Sequence, residues 1–335
     1  MMPGRIPEKI ASRLRLPLIA APMLSVSGPD LAIAACKAGV IGSFPLANAR
    51  SIDNVNNWLT QIEAALANAA DKSGRPPAPF CPNLIIKRAE MRAELEALVK
   101  HRVELVITSV GSPVEAIAPL HDVGCIVFAD VATVHHAERA IAAGVDGLIL
   151  LTAGAGGQTG WLNPLAFVRA TRRMFDGPIL LAGGISDGAA LWAAEVLGCD
   201  LAYMGTKFIA TTESMATDAY KRMLVDSTMD DVMLTQAFTG LDTNMLTPSM
   251  IRAGLDPRTL PPRVSVEEAA RNFSSKGEMN GPRRYKDIWS AGHSVSGVTQ
   301  ILSVAELVEQ TAHEYDAARN RTAAILQGRF GSLRH

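Results

Sequence analysis

The sequence has no excess of either charge: 32 Lys and Arg stand against 33 Asp and Glu. That balance leaves no basic footprint for nucleic acid and nothing polybasic for a membrane surface. Cysteine is scarce as well. Cys36, Cys81, Cys125 and Cys199 are far apart, form no CxxC pair or Cys/His cluster, and sit in apolar stretches. They read as reduced packing residues, which excludes a disulfide framework and a zinc module. No apolar run reaches the ~18 residues of a membrane span, and no cationic-then-apolar start resembles a signal peptide. A soluble cytoplasmic protein is expected, without nucleic-acid or membrane partners; a homodimer is left open. Linkers and low-complexity tracts are missing too, so a freely tethered second domain is not expected.

What is present is aliphatic. Of 335 residues 48% are apolar, mostly Ala, Leu, Val and Ile, and only 5% are aromatic. Such a composition suits parallel strands buried on both faces. Short aliphatic runs lie at 18–24, 40–47, 80–86, 104–110, 125–131, 147–153, 178–184 and 201–206. Segments with helical spacing separate them, at 29–38, 52–70, 89–101, 113–122, 134–143, 164–175, 188–197 and 213–226. This alternation indicates βαβ units, and eight of them close a barrel. The competing doubly wound sheet lacks its GxGxxG fingerprint after the first strand. Residues 71–79 (DKSGRPPAP) form a rigid polar loop. Beyond 226 the alternation stops: 229–260 mixes Met, Thr, Asn and Pro, 261–285 is charged, and 303–326 is an amphipathic helix. The expected architecture is a (β/α)8 TIM barrel with a helical C-terminal extension over the barrel mouth. Residues 1–225 and 285–335 form the barrel with its terminal helix, and 226–284 a helical or loop extension serving as a substrate lid.

Two glycine turns come late. Ile179-Leu180-Leu181-Ala182-Gly183-Gly184-Ile185 runs from a strand into paired glycines and then a helix, and Met204-Gly205-Thr206-Lys207 repeats the device one unit later. Glycine lets backbone amides approach an anion closely, and a barrel places its phosphate site at its last strands.

These runs carry a resemblance. AGGIxDG…LGCDLAYMGTKFIATTES, LPLIAAPMLSVSGPDLAIAACKAGVIGSF, PNLIIKR, ATVHHAERAIAAGVDGLIL with TAGAGGQTG, and WSAGHSVSGV resemble, in order, motifs of the nitronate monooxygenase (2-nitropropane dioxygenase-like) family. That family is a branch of FMN-dependent TIM barrels which also includes flavin-dependent enoyl-ACP reductases. The resemblance covers 14–222 and 285–317 and is thin across 226–284. It implies FMN phosphate binding by Gly183, Gly184, Gly205 and Thr206, ring contacts from Pro22, Met23 and Asn83, and a lining from Gly156 and Gly157. Asp130, closing the fifth strand, is counted with the cofactor-binding positions.

The sequence departs from the family at its catalytic base. The family writes a histidine into AGGHxG after the sixth strand; here the loop is Ala155-Gly156-Gly157-Gln158-Thr159-Gly160. An amide cannot exchange a proton near neutral pH; it can only orient a substrate or stabilise an anion. Near the C-terminus the family's AGQ is Ala291-Gly292-His293. Gln158 and His293 are therefore the candidate catalytic residues, His293 standing in as acid or base if both loops face the flavin. His101, His121, His135, His136 and His313 have no metal-ligand spacing and read as surface or helix-end residues. Cys81 is a candidate for the ring edge, Lys207 for the phosphate turn, and Trp161 and Asn163 for a substrate wall. Met229, Met233, Met245 and Met250 fit a helical cap's core better than an adaptable lid.

The resulting reading is an FMN oxidoreductase oxidising a nitronate or similar carbanion with O2. The alternatives are an NAD(P)H-dependent FMN reductase acting on a quinone, enone or acyl substrate, and a flavin-binding barrel that has lost catalysis. A phosphate-sugar isomerase or lyase would have Asp130 as its one good carboxylate.

Overall fold

All eight aliphatic runs become strands of one closed parallel barrel: Leu18–Ala20, Ile41–Pro45, Phe80–Ile85, Leu105–Ser109, Ile126–Val131, Gly147–Leu151, Ile179–Ala182 and Leu201–Met204. In this computed structural model, residues 5–67, 69–70, 74–273 and 282–331 are described. Closure is made where Ile19 stands beside Tyr203 and Ala20 beside Met204. The strands read as continuous apolar runs because both faces are covered. Leu18, Val106, Val127, Leu148 and Leu181 pack outward under the helices, while Ile19, Ile41, Leu105, Ile107, Phe128, Ile149 and Leu180 fill the barrel interior.

Helix ends follow their caps. Ser51, Thr133, Asn163 and Asp187 each accept a hydrogen bond from an amide of the first turn of the helix that follows. Two expected helices fall furthest short of what their spacing suggested. The one expected over 52–70 is described as Ile52–Leu66, and position 68 lies outside the described residues. The one expected over 213–226 is Asp218–Asp226, because both oxygens of Glu213 accept from the Val304 amide and so cap the terminal helix.

The extension is part sheet. Val232–Thr235 and Thr243–Leu246 pair antiparallel, and the second strand pairs in turn with Gly157–Gln158. Short helices Thr247–Arg252 and Val266–Asn272 follow. Positions 71–73 of the polar loop and 274–281 of the charged segment lie outside the described residues. The terminal helix, Val304–Gly331, packs on Gly188–Leu197 and Pro29–Ala38; a Cβ on Gly188 would stand 2.1 Å from the Tyr315 nitrogen. Among the described residues no helix is long and apolar enough to cross a membrane.

Candidate active site

At the C-terminal rim the barrel interior changes from aliphatic to polar. Strand alternation carries the inward positions of the core up to Ser43, Asn83, Ser109, Asp130 and Tyr203. Asn83 is 5% exposed; its Nδ2 donates to Ser109 Oγ at 3.0 Å and to the Ile107 carbonyl at 3.2 Å. Asp130 is half-buried as a residue, yet its Oδ1 is shielded from solvent and has no hydrogen-bond partner. Burial pushes its carboxyl up to about 7. Burial raises the Tyr203 phenol well above its ordinary range, with a smaller contribution from Asp130, so it stays neutral. Ser43 Oγ is likewise buried without a partner.

Pro22 and Met23 stand on the loop after the first strand, and both are half-buried. Asn48 fixes this loop: its Nδ2 donates to the Met23 and Ser27 carbonyls and its Oδ1 accepts from the Ser25 amide. Met23 in turn abuts the second glycine turn, its Sδ 3.5 Å from where a Cβ on Gly205 would be.

The first glycine turn is shaped by two different demands. Gly183 has φ +120° and a Cβ there would meet Thr152 Oγ1 at 2.5 Å. Gly184 has φ +75°, is exposed, and a Cβ there would meet nothing within 4 Å. Close packing explains the first glycine; the second adjoins open space. Among the described residues the amides of Gly184, Ile185 and Thr206 donate to no protein acceptor.

The two divergent loops meet. The His293 amide donates to the Gly154 carbonyl at 2.9 Å, and a Cβ on Gly154 would fall 2.7 Å from His293 Nδ1. The Gly292 amide donates to Thr206 Oγ1 at 3.0 Å, and a Cβ on Gly292 would come 2.7 Å from the Gly156 nitrogen. The small sheet holds Gly157 and Gln158 from the other side. Asn244 Nδ2 donates to the Ala155 carbonyl at 2.7 Å and the Thr159 amide to the Asp242 carbonyl at 3.1 Å. Gln158 is half-buried, opposite Thr243; His293 is exposed.

Several sequence-based candidates lie elsewhere. Lys207 Nζ donates to the Gly297 carbonyl at 2.6 Å, and burial lowers its ammonium pKa. Asn163 caps helix Pro164–Arg172, and Trp161 is 78% exposed. Cys81 is wholly buried one layer below Asn83. Met245 and Met250 pack with Phe238 and Ile288 in the core of the extension and Met233 lies half-buried against them, as expected of cap residues, whereas Met229 is 50% exposed and outside that core. Asn48, Ser109, Tyr203 and Asn244 were not expected, because their partners are distant in sequence. Among the described residues no group of three or more His, Cys, Asp or Glu is placed to hold a metal ion.

The fold is a (β/α)8 barrel with a polar rim at the strand C-termini. The family model for nitronate monooxygenase matches residues 8–314, and the chain belongs to the nitronate monooxygenase family. It is 28% identical over 337 residues to a nitronate monooxygenase of Paraburkholderia phytofirmans, covering 89% of this chain and 92% of that protein. It is 23% identical to the (3aS,4S,5R,7aS)-5-hydroxy-7a-methyl-1-oxo-octahydro-1H-indene-4-carboxyl-CoA dehydrogenase of Rhodococcus jostii, covering 92% and 87%. The structure of nitroalkane oxidase from Streptomyces ansochromogenes superposes with a TM-score of 0.77 at 25% identity, covering 93% of this chain and 99% of that one. The chain is thus an enzyme of the oxidoreductase class.

Proposed function

We propose that this chain is an FMN-dependent oxidoreductase of the nitronate monooxygenase type, oxidising a nitronate or a similarly stabilised carbanion with O2. The observation that carries the reading is the Gly183-Gly184 turn. Its unpaired amides adjoin open space at the strand ends, beside a polar floor with an orphaned carboxylate oxygen. Those features fit a phosphorylated, polar-edged planar cofactor. Gly183, Gly184, Gly205 and Thr206 would hold the phosphate; the Thr206 hydroxyl accepts from Gly292 and keeps its own proton to donate. Pro22, Met23, Asn83 and Asp130 would border the ring, with Gly156 and Gly157 on the far rim. When bound, FMN supplies two-electron redox chemistry and reactivity toward O2. Gln158 orients the substrate or stabilises its anion through its amide. His293, brought beside the Gly154 loop, is a candidate acid or base at the edge. The 226–284 extension serves as the substrate lid, through the hairpin that grips Gly157 and Gln158.

A second reading is favoured by the amide at Gln158 and by the similarity to a CoA-thioester dehydrogenase. In it the same flavin exchanges electrons between NAD(P)H and an acyl, enone or quinone substrate. Anaerobic mixing with NADH, NADPH and ethyl nitronate separates the two by which reagent bleaches the flavin band. Bleaching by ethyl nitronate alone supports the first. Bleaching by a nicotinamide and none by nitronate replaces it with the second.

A further inference from the structure

A carbanion must first be made where the substrate arrives as a neutral carbon acid, and the residue that the family motif uses for this is an amide here. Few groups at the rim can exchange a proton. Asn83 and Gln158 do not titrate, Lys207 is committed to the Gly297 carbonyl, and the His293 ring lies against Gly154 on the exposed side of its loop. Asp130 differs from all of these. It points inward from the end of the fifth strand, at the rim that also carries Asn83 and Tyr203, and Oδ1 has neither solvent nor a protein donor. A buried oxygen without a partner is costly unless a ligand or a proton meets it. Asn83 does not serve as that partner, being taken up by Ser109 and the Ile107 carbonyl.

We propose that Asp130 is the proton-accepting carboxylate of this site, taking a proton from a substrate carbon activated by an adjacent nitro or thioester carbonyl group. In the step the C–H bond breaks, an O–H bond forms on Asp130, and the electron pair stays on the substrate, delocalised onto the oxygen of the activating group. Asp130 later returns its proton to solvent. The inference rests on the carbanion-oxidising function proposed above. The titratable groups that act on one another here, Cys81 and Tyr203, both have pKa values raised well above their ordinary ranges and keep their protons. Asp130 therefore titrates near neutrality, and among the described residues no cation holds it ionised.

The test compares nitroethane, which must lose a proton, with ethyl nitronate, which has already lost it, on the FMN-loaded enzyme. For the wild type, kcat/KM for nitroethane rises through an apparent pKa near 7 while that for ethyl nitronate does not. In Asp130→Asn, checked for retained FMN by its absorption spectrum, the nitroethane-to-nitronate rate ratio falls about 100-fold, the lower range of general-base catalysis. Infrared difference spectra of the wild type, with flavin bound, show a carboxylic-acid carbonyl band titrating near pH 7 that Asp130→Asn lacks. An unchanged ratio in Asp130→Asn, a fall in His293→Asn instead, or no such band overturns the proposal. Wild type that turns over neither compound refutes the function itself, a result distinct from loss of Asp130's role alone.

Discussion

The desolvated carboxylate predicts a pH-dependent cost to folding that Asp130→Asn removes. In the unfolded chain Asp130 titrates at its ordinary value of 3.8; in the folded protein burial lifts it to about 7. A raised acid binds its proton more tightly in the folded state, so the wild type loses stability as pH climbs through the window from about 4 to 7. Below that window the group is neutral in both states and costs nothing. Above it the full difference applies, about 4 kcal/mol at 1.36 kcal/mol per unit. Between pH 5 and 8.5 the linkage relation gives a change of about 2 to 3 kcal/mol, the lower figure if water reaches the open side of the carboxyl. The neutral amide of Asn has the same shape and no such dependence. Urea unfolding of flavin-stripped wild type and Asp130→Asn, followed by circular dichroism across that range, measures the gap between their midpoints. The gap should widen in favour of the variant as pH rises. Parallel curves from pH 5 to 8.5 would refute the reasoning, because they would mean that Asp130 is solvated or paired.

Two further substitutions probe the rim. Gly184→Ala puts a methyl into open space at φ +75°, so it should cost only about 1 kcal/mol of stability. It should nevertheless weaken FMN binding at least tenfold, read by quenching of flavin fluorescence; full affinity would move the phosphate elsewhere. Asn244→Leu removes the donor to the Ala155 carbonyl and should free the loop carrying Gln158 from the hairpin. A buried carbonyl left unsatisfied costs about 1 to 3 kcal/mol. Substrate KM should rise while FMN affinity holds, and an unchanged KM would remove the lid role from this hairpin.

The barrel was legible because each strand is buried on two faces and therefore announces itself without any partner: 18–24 is apolar throughout, and 80–86 and 147–153 carry one polar side chain each, Asn83 and Thr152. The glycine turns were legible for the same local reason, a strand running straight into Gly183-Gly184 or Gly205. The hairpin was not. Val232–Thr235 is short, Leu234 faces solvent, and its partner strand is set by pairing with Gly157–Gln158, some 85 residues away. No local pattern encodes that register. Glu213 misled for a related reason. It sits at helical spacing before Asp218–Asp226, but its carboxylate caps a helix 91 residues further on.

Legibility of the site divides along the same line. Position could be read from the chain; chemical state could not. The chain placed Asn83 in the third-strand motif and Asp130 at the end of the fifth strand, but only the closed barrel shows that Asn83 spends its amide on Ser109 and that Asp130 Oδ1 has no partner. The exchange of motif residues between Gln158 and His293 could likewise be seen as two isolated changes. The fold joins them through backbone contacts among Gly154, Gly156 and Gly292, so close that a side chain on either glycine loop would part them, and through the Gly292 amide's hydrogen bond to the Thr206 hydroxyl. A side chain carried on one loop is therefore positioned by the other, and by Thr206 at the second glycine turn. Loss of the imidazole at Gln158 thus does not by itself empty the site of proton chemistry. The same rim carries an exposed histidine and a buried carboxylate, and the carboxylate is the one that the packing leaves without a partner.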